Sequence, residues 1–424
     1  MRNLIIITFG VAASCWAQAP MRLTLAEAQR LAIQNNPQFT AAKYNAAAAY
    51  QVAPQYRANY APSLTGNLTG VGADNGSRLA AGGLNNPVVY DRVGSGLTVG
   101  QMVTDFGRTG NLVAMAKLRA SAQDQVTQST RADILVNVSR AYFAVLRAES
   151  VLTVANSTVA ARQLVADQIS TLAESKLKST LDVSFANVNL ADAKLLLVQA
   201  QNDLKASEAN LAAAMGLPND TNFTLQEEAM PAQLPARVDE LVQQAIANRP
   251  ELKNLRLEQS AAERFTRAEH DLYFPTIGVA GTAGFVPGGV ENVPGRYGAI
   301  GLNVTIPIFN GGLFRARQTE AEMKAKAAAE NVNDLANRVT RDVRVAYLNA
   351  TTAYDRMALT QQLLDQARLA VDLAQTRYDL GLGSIVELST AQLNVTSAQI
   401  ANATALYDYQ TQRIIVDYQV GVLH

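Results

Sequence analysis

Two stretches of the chain carry an apolar or small side chain at every third or fourth position over many turns of helix. The first stretch runs through Ile134, Val138, Ala141, Val145, Ala148, Leu152, Ala155 and Val159. The second runs through Val339, Val343, Ala346, Ala350, Ala353, Met357, Thr360 and Leu364, at an offset of 339 − 134 = 205. A stripe with this spacing is the seam along which one helix packs against another. Because alanine supplies much of each seam, we expect the helix backbones to approach closely.

Helix-breaking residues avoid the same stretches. Neither proline nor glycine occurs in residues 111–215, 313–380 or 384–420. Proline costs about 3 kcal/mol and glycine about 1 kcal/mol in a helix interior, so their absence predicts long helices within about 105–215 and 311–421. A helix of roughly 70 residues, at ~1.5 Å per residue, is about 100 Å long. An ordinary globular domain does not need helices of this length.

Each half of the chain also contains two short segments in which apolar and polar positions alternate. They cover about 62–72, 92–103, 276–286 and 296–307. On one side of the second segment lie Val93, Leu97, Val99 and Val103, and on one side of the fourth lie Ile300, Leu302, Val304 and Ile306. Period two over about 10 residues is typical of a strand in a transmembrane β-barrel. In that interpretation Ile300, Leu302 and Val304 face lipid, whereas the alternative is a pair of surface hairpins on a soluble protein.

Four strands cannot close a barrel alone. An open strand edge in lipid leaves backbone groups without hydrogen bonds, at several kcal/mol each. If the segments lie in a membrane, several chains must therefore share one barrel. Two chains would supply eight strands, and three would supply twelve.

The pattern occurs twice because the chain is a duplicated half-molecule. Ala141 returns as Ala346 at an offset of 346 − 141 = 205, whereas Pro37 returns as Pro250 at an offset of 250 − 37 = 213. The first copy therefore carries about eight extra residues between these two matches. A repeat of this length is no solenoid unit, since solenoids repeat every 20 to 50 residues or so. We assign the first repeat to 20–216, a linker to 217–236 and the second repeat to 237–424.

Residues 1–19 have the layout of a secretory signal peptide. A basic residue precedes an apolar run over 4–13, and small residues follow it. We predict cleavage after Ala17 or Ala19. A second interpretation makes Cys15 a lipidated N-terminus. In both cases the mature chain leaves the cytoplasm, and no disulfide can form within it.

Composition argues against several classes of function. The 36 basic and 36 acidic residues cancel, and charged residues make up only 17% of the chain, so we expect no nucleic-acid surface. The only histidines are His270 and His424, and the only cysteine is Cys15, so a Ser-His-Asp, Cys-His or zinc site lacks parts. We therefore predict no enzymatic activity, no metal and no cofactor. Beyond the signal peptide, no segment approaches the ~20 apolar residues of a helical membrane span.

Aromatic residues lie at the ends of the predicted strands. They are Tyr60, Tyr90, Tyr273, Phe274 and Tyr297. An aromatic belt that anchors a barrel at the lipid boundary is one interpretation. Ordinary packing where strands meet helices is the other.

Several motifs recur at matching places in the two repeats. Residues 25–28 and 35–37 (LAEA and NNP) open the first repeat, and residues 247–252 (ANRPEL) open the second. Tyr60-Ala61-Pro62 and Tyr273-Phe274-Pro275 precede the first strand of each pair, and 105–108 and 309–312 follow the second strand. The most specific stretch is 377–388 (RYDLGLGSIVEL), followed by Ala391-Gln392 and Tyr407. In their order and duplication these motifs resemble the TolC-like family of outer-membrane efflux and secretion ducts, over essentially the whole mature chain.

The resemblance implies a mainly α fold with a small β part. Long antiparallel coiled-coil helices form a periplasmic α-barrel, and each chain of a homotrimer adds four strands to one shared twelve-stranded barrel in the outer membrane of a Gram-negative cell. A periplasmic adaptor and an inner-membrane pump of RND or ABC type dock at the far end. The duct itself is passive and exports small molecules or polypeptides.

The resemblance also places a candidate gate at the helical turns. Gly381, Leu382, Gly383 and Ser384 form the family's tip turn, the expected adaptor contact, whereas the first repeat reads Lys176-Leu177-Lys178 there. We expect a continuous bend or a tighter helical turn at that glycine-free site. Glu387 and Asp182 occupy equivalent positions past the two turns (387 − 182 = 205) and Thr390 replaces a second family carboxylate. The nearest candidate partners of these carboxylates are Arg377, Lys176 and Lys178. A solvated helix surface is the alternative role for both acids.

One rival function belongs to another class. A secreted coiled-coil scaffold or stalk outside any membrane would share the signal peptide and the long helices. It gives no reason for two pairs of membrane-length strands at matching positions.

Overall fold

The computed structural model describes residues 21–72, 74, 92–218, 223–235, 237–286 and 295–423. The predicted signal peptide, Cys15 and Tyr90 lie outside these residues. The first half contains β1 (Met21–Leu23), α1 (Leu25–Asn35), α2 (Pro37–Tyr50), α3 (Val52–Arg57), β2 (Ser63–Val71), β3 (Arg92–Thr104), α4 (Arg108–Glu174) and α5 (Thr180–Met215). The second contains β4 (Phe223–Leu225), α6 (Val238–Asn248), α7 (Pro250–His270), β5 (Thr276–Phe285), β6 (Arg296–Thr305), α8 (Leu313–Asp379) and α9 (Ile385–Val420).

The long helices confirm the internal duplication. Helices α4 and α8 have 67 residues each, and α5 and α9 have 36 each. All four keep the offset of 205, since 313 − 108 and 385 − 180 both give this value. At ~1.5 Å per residue, α4 and α8 are each about 100 Å long. Each folds back on its shorter partner, so the chain forms two antiparallel helical hairpins, α4–α5 and α8–α9.

The predicted seams pack inside these hairpins. Val138, Val145 and Ala155 of α4 are completely buried, as are Val339, Val343 and Ala350 of α8. Small side chains keep the helix axes close, and each buried methylene contributes about 0.8 kcal/mol. The seams therefore account for the association of each long helix with its neighbours.

A small sheet joins the two halves near the middle of the long helices. Strand β1 pairs in parallel with β4, and Met21 lies opposite Phe223. The buried Tyr142 hydroxyl of α4 lies within hydrogen-bonding distance of two carbonyl oxygens, those of Leu23, at 3.0 Å, and Gln226. The segment after the first repeat is thus tied to the first half through backbone pairing and one buried tyrosine. The Tyr409 hydroxyl of α9 ties it to the second half, since it donates to the Ala232 carbonyl at 2.8 Å.

The other four strands form one antiparallel sheet in the order β2-β3-β5-β6. Within the first hairpin Ser63 lies opposite Gly100, and within the second Thr276 lies opposite Thr305. Both pairs obey the same two offsets, because 276 − 63 = 213 and 305 − 100 = 205. The two hairpins therefore have the same register, and the eight extra residues (213 − 205 = 8) lie in the connection between β2 and β3.

The two faces of this sheet differ in polarity. Alternation and pairing place Leu64, Leu68, Leu97, Val99, Val279, Ile300, Leu302 and Val304 on one face, called here the apolar face. They place Thr65, Asn67, Thr69, Thr98, Thr282, Asn303 and Thr305 on the other, called the polar face. The side chains of Ile300, Leu302 and Val304 are exposed in the single chain, as lipid-facing residues must be.

Tyr297 is not part of an aromatic belt on the apolar face. It shares the polar face with Asn303 and Thr305, and its ring lies across Gly284. A Cβ atom at Gly284 would lie 2.3 Å from this ring, so only glycine leaves room for it. Tyr273 and Phe274 pack where strands meet helices, with ring centroids 5.8 Å from Phe314 and 6.1 Å from Phe106 respectively.

Among the described residues, no helix combines the length and the apolar character needed to cross a membrane.

Candidate functional site

The two helical turns at the ends of the hairpins close in the same way. The Leu177 amide donates to the Leu172 carbonyl at 2.8 Å, and the Leu382 amide donates to the Arg377 carbonyl at 2.8 Å. Lys176 and Gly381 occupy the equivalent left-handed position, with φ of 59° and 74°. The first turn is therefore not a continuous bend, because α4 ends and α5 begins as α8 and α9 do. The Lys176 amide donates to the Ala173 carbonyl at 2.9 Å, three residues earlier, which is a tighter helical turn.

Lysine at a left-handed position carries a conformational cost. A side chain with a Cβ loses roughly 1–2 kcal/mol in this region relative to the right-handed one, a cost that glycine avoids. The neighbouring Lys178 places its ammonium nitrogen 3.7 Å from the ring centroid of Tyr378, on the other hairpin. A cation over an aromatic face contributes about 0.5–1 kcal/mol at exposed sites. The first turn thus combines a strained backbone position at Lys176 with a contact from Lys178 that links the hairpins.

Asp182 is engaged at the start of its own helix. Its carboxylate accepts hydrogen bonds from the Ser179 amide at 3.1 Å and the Ser179 hydroxyl at 3.0 Å, and the Ser179 hydroxyl accepts from the Asp182 amide at 3.1 Å. This reciprocal pair is a capping box, which satisfies backbone donors at the helix N-terminus. Asp182 therefore combines a structural role with its negative charge.

Glu387 has the equivalent position but different partners. The Ser384 hydroxyl accepts from the Glu387 amide at 3.1 Å, yet the Glu387 carboxylate accepts from Arg377 Nε at 3.0 Å. Arg377 also donates to the Leu382 carbonyl at 3.2 Å, so it joins the end of α8 to the turn and to α9. Both charged side chains are about half exposed, and such pairs contribute ~0–1 kcal/mol.

The other predicted site residues take more modest positions. Among the described residues, neither Lys176 nor Lys178 forms an ion pair with a carboxylate, whereas Arg377 does. Thr390 is exposed one turn beyond Glu387, and its hydroxyl donates to the Val386 carbonyl at 2.8 Å. This face of α9 therefore presents one carboxylate and one neutral hydroxyl.

Tyr378 also belongs to this region. It lies in the motif 377–388, but the sequence alone does not indicate its role. Its side chain is only 5% exposed, and its hydroxyl has no hydrogen-bond partner among the described residues. Burial raises the pKa of this hydroxyl to about 12, and the nearby charges of Asp182 and Asp379 add to the shift. Tyr378 belongs to an apolar cluster in which both hairpins meet, with Ile169, Ala186, Ile385 and Leu388.

A polar contact reinforces this meeting of the hairpins. The side-chain amide of Asn189 in α5 donates to the Ser389 hydroxyl of α9 at 2.7 Å. Together with the Tyr378 cluster it fixes the two turns side by side. The exposed ends of the turns carry Leu177 and Leu382, which are 71% and 68% exposed.

Comparison with known proteins places these features in a family. The family model described as "Outer membrane efflux protein" matches residues 28–217 and 241–417. The chain is 24% identical to the outer membrane protein TolC of Escherichia coli (strain K12) over 443 residues, covering 100% of this chain and 87% of that one. It is also 24% identical to the alkaline protease secretion protein AprF of Pseudomonas aeruginosa over 435 residues, covering 100% and 89%.

Solved structures agree in fold. The outer membrane protein VceC of Vibrio cholerae superposes with a TM-score of 0.80 at 19% identity, covering 94% of this chain and 96% of that one. The CmeC outer membrane channel of Campylobacter jejuni superposes with a TM-score of 0.78 at 18% identity, covering 94% and 85%. Both similarities extend over the helical hairpins and the sheet together.

Proposed function

Because the chain belongs to the outer membrane efflux protein family, we propose that three copies assemble into one passive exit duct. The chain is an outer-membrane duct of the efflux or secretion type, and it extends from the outer membrane into the periplasm. The family is one of outer-membrane channels, not of enzymes. The cargo we propose is small molecules or polypeptides, since relatives include both efflux and protease-secretion proteins.

The observation that carries the proposal is a sheet with two open edges and one apolar face. Among the described residues, strands β2 and β6 each have one neighbour in the order β2-β3-β5-β6. The apolar face suits lipid, but unpaired backbone groups at its edges would cost several kcal/mol each in a bilayer. Three copies supply twelve strands and remove every edge. The polar face then lines the lumen.

The long helices match the strands in number. Each chain contributes the four helices α4, α5, α8 and α9, so three chains provide a twelve-helix wall continuous with a twelve-stranded barrel. Exposed apolar side chains remain on the long helices of the single chain, including Leu195, Leu348, Leu363 and Leu373. Contact between copies along the wall would bury such residues.

The helical turns are the proposed entrance and docking end. A trimer turns Glu387 and Asp182 into two rings of three carboxylates, with Thr390 adding neutral hydroxyls beside the former. Acidic rings attract cations, and repulsion between them opposes closure unless they are paired. Arg377 supplies such a pair for Glu387. We place a periplasmic adaptor, and through it an RND or ABC pump, on the exposed turn of Gly381, Leu382, Gly383 and Ser384.

Membrane fractionation tests the proposed duct against the coiled-coil stalk. A duct remains in the outer-membrane fraction after washing with salt and with urea, and it leaves this fraction only in detergent. A stalk held by surface contacts dissolves in one of the two washes. Reconstitution in a planar bilayer then distinguishes a duct from a membrane-anchored stalk, because only the duct produces defined steps of conductance.

A further inference from the structure

We propose that Arg162 binds a monovalent anion of the size of chloride in a cavity between the two helical hairpins. The site lies within a single chain, so the inference does not depend on the number of copies in the duct. Passive export does not require such a site, and the bound anion is a structural ligand, not cargo.

Arg162 is a buried cation without a partner in the chain. It lies on α4 and is only 6% exposed. Its Nη1 atom is buried and has no hydrogen-bond partner among the described residues, and no carboxylate among them forms an ion pair with this side chain. An arginine side chain is always protonated at ordinary pH. Because burial removes the water that solvates a charge, buried charges in proteins are otherwise paired.

Other arginines of the chain show which partner Arg162 lacks. Arg249 is the other arginine that is buried among the described residues, and it donates to the Glu251 carboxylate at 3.2 Å and to the side chain of Gln419 at 2.9 Å. Arg147 lies on the same helix as Arg162, and its guanidinium is 3.7 Å from the carboxylate of Asp408 on α9. At Arg162 an external ligand has to supply the negative charge.

The space for this ligand is a cavity of about 590 Å³ between α4, α8 and α9. Arg162 and Thr158 line it from α4, and Gln392 and Gln399 line it from α9. The side-chain amides of the two glutamines can donate hydrogen bonds to an anion. A second cavity of about 230 Å³ lies on the side of α5, and Arg162 lines this one too. Each cavity has room for an ion together with water molecules.

The charges around the cavities favour a ligand with a single negative charge. Among the described residues, Arg162 is the only cationic side chain that lines either cavity. Asp192, Asp372 and Asp379 also line them, but all three residues are exposed, so solvent and salt screen their charges. One buried cation is neutralised by one monovalent anion. A dianion such as sulfate would leave an excess negative charge beside these three carboxylates.

The electrostatic surroundings of the guanidinium agree with this assignment. Burial lowers the pKa of Arg162, and the negative charge of Asp192 offsets this effect in part. Asp192 therefore attracts the guanidinium without forming an ion pair with it. An anion in contact with the guanidinium acts in the same direction as Asp192 and stabilises the charged form more strongly.

The position of the site connects it to the packing of the hairpins. Arg162 is 174 − 162 = 12 residues from the end of α4, or about 18 Å at ~1.5 Å per residue. Helices of both hairpins form the cavity, so a bound anion contacts both of them. It thereby adds a ligand-dependent contact to the Tyr378 cluster and to the hydrogen bond between Asn189 and Ser389.

The NMR linewidth of chloride tests the site, because exchange with a protein-bound state broadens the signal of the free ion. The mature protein is purified in an uncharged detergent and titrated with sodium chloride. We expect broadening that bromide removes by competition and that sulfate at matched ionic strength does not. Arg162→Gln should lose most of this broadening. The matched control is Arg147→Gln, which removes a carboxylate-paired arginine from the same helix and should keep it.

A second variant keeps the proposal testable if Arg162→Gln fails to assemble. Asp192→Asn removes a negative charge near the site and should tighten chloride binding several-fold. Equal broadening in wild type and Arg162→Gln would refute the site. Broadening that occurs only in Asp192→Asn would show that Asp192 already neutralises the guanidinium in wild type, and this result overturns the proposal. Absence of specific broadening in every protein would show that the cavity holds water alone, which overturns it as well.

Discussion

At the scale of single residues, two carboxylates at equivalent positions have different surroundings. Asp182 accepts hydrogen bonds within its own helix cap, whereas Glu387 pairs with Arg377 across the turn. The pairing of Arg377 could be predicted because the residues lie close in sequence. The cap of Asp182 could also have been predicted from the spacing of Ser179 and Asp182. The burial of Tyr378 could not be predicted, because it results from packing between hairpins that are distant in sequence.

The first prediction concerns the charge at the proposed entrance. Two unit charges ~8 Å apart interact by ~0.5 kcal/mol in water, so Glu387→Gln should lower the cation-to-anion permeability ratio by about twofold or more. Arg377→Gln should raise this ratio, because it leaves the Glu387 carboxylate unpaired. Asp182→Asn should change it less, since only Glu387 follows the glycine turn that matches the family's tip. Single-channel recording in planar bilayers measures all three. Equal ratios in wild type and Glu387→Gln would remove Glu387 from the conducting path.

The second prediction concerns the two turns. Lys176→Gly should stabilise the first turn by about 1 kcal/mol, because glycine adopts the left-handed conformation without the Cβ clash. Gly381→Ala should destabilise the second turn by roughly the same amount. Thermal unfolding of the detergent-solubilised protein should show opposite shifts in midpoint. Shifts of the same sign in both variants would contradict the assigned conformations.

The third prediction concerns alkaline pH. The pKa of Tyr378 is about 12 in the folded chain and about 10 for an exposed tyrosine, so the folded state retains this proton more tightly. Its contribution to stability is complete below pH ~10 and is lost as the pH rises towards 12. Tyr378→Phe should therefore lose less stability than wild type between pH 10 and 12 (roughly the span set by these values). Unfolding midpoints of wild type and Tyr378→Phe across this pH range test the prediction. Identical pH profiles of the two proteins would contradict it.

At the scale of helices and strands, hydrophobic periodicity locates most of the structure. Each of the four strands begins and ends within two residues of the alternating segments that predict it, since alternation persists for as long as one face is apolar. Periodicity does not predict the strand order β2-β3-β5-β6, because the β3–β5 contact joins halves that no short-range pattern connects. The duplication also predicts where the first turn lies, but not its left-handed residue, since no glycine or proline stands there and lysine takes that position.

The fourth prediction tests the apolar face. Arginine on a lipid-facing strand costs roughly 2–4 kcal/mol at the bilayer midplane, so Leu302→Arg should reduce the amount of assembled protein in the outer membrane. Asn303→Arg is the matched control one residue away on the polar face, and it should be milder. Quantitative immunoblotting of outer-membrane fractions measures both. Equal losses would show that the two faces are assigned wrongly.

At the scale of the whole molecule, the single chain is an incomplete structure. In the part of the chain that the structure describes, two strand edges lack partners, and apolar residues such as Ile308 and Phe309 remain exposed. The sequence indicates this incompleteness, because four membrane-length strands cannot close a barrel. The periodicity of the sequence does not by itself determine the number of copies, since two chains would also close a barrel, with eight strands. The family favours three.

The mass of the particle purified in detergent tests this central claim most directly. Native mass spectrometry, after detergent is removed in the gas phase, gives the number of chains without any assumption about shape. The account predicts a particle of three identical chains that stays intact until the detergent becomes denaturing. A particle of one or two chains, in protein extracted from the outer membrane under mild conditions, would contradict it.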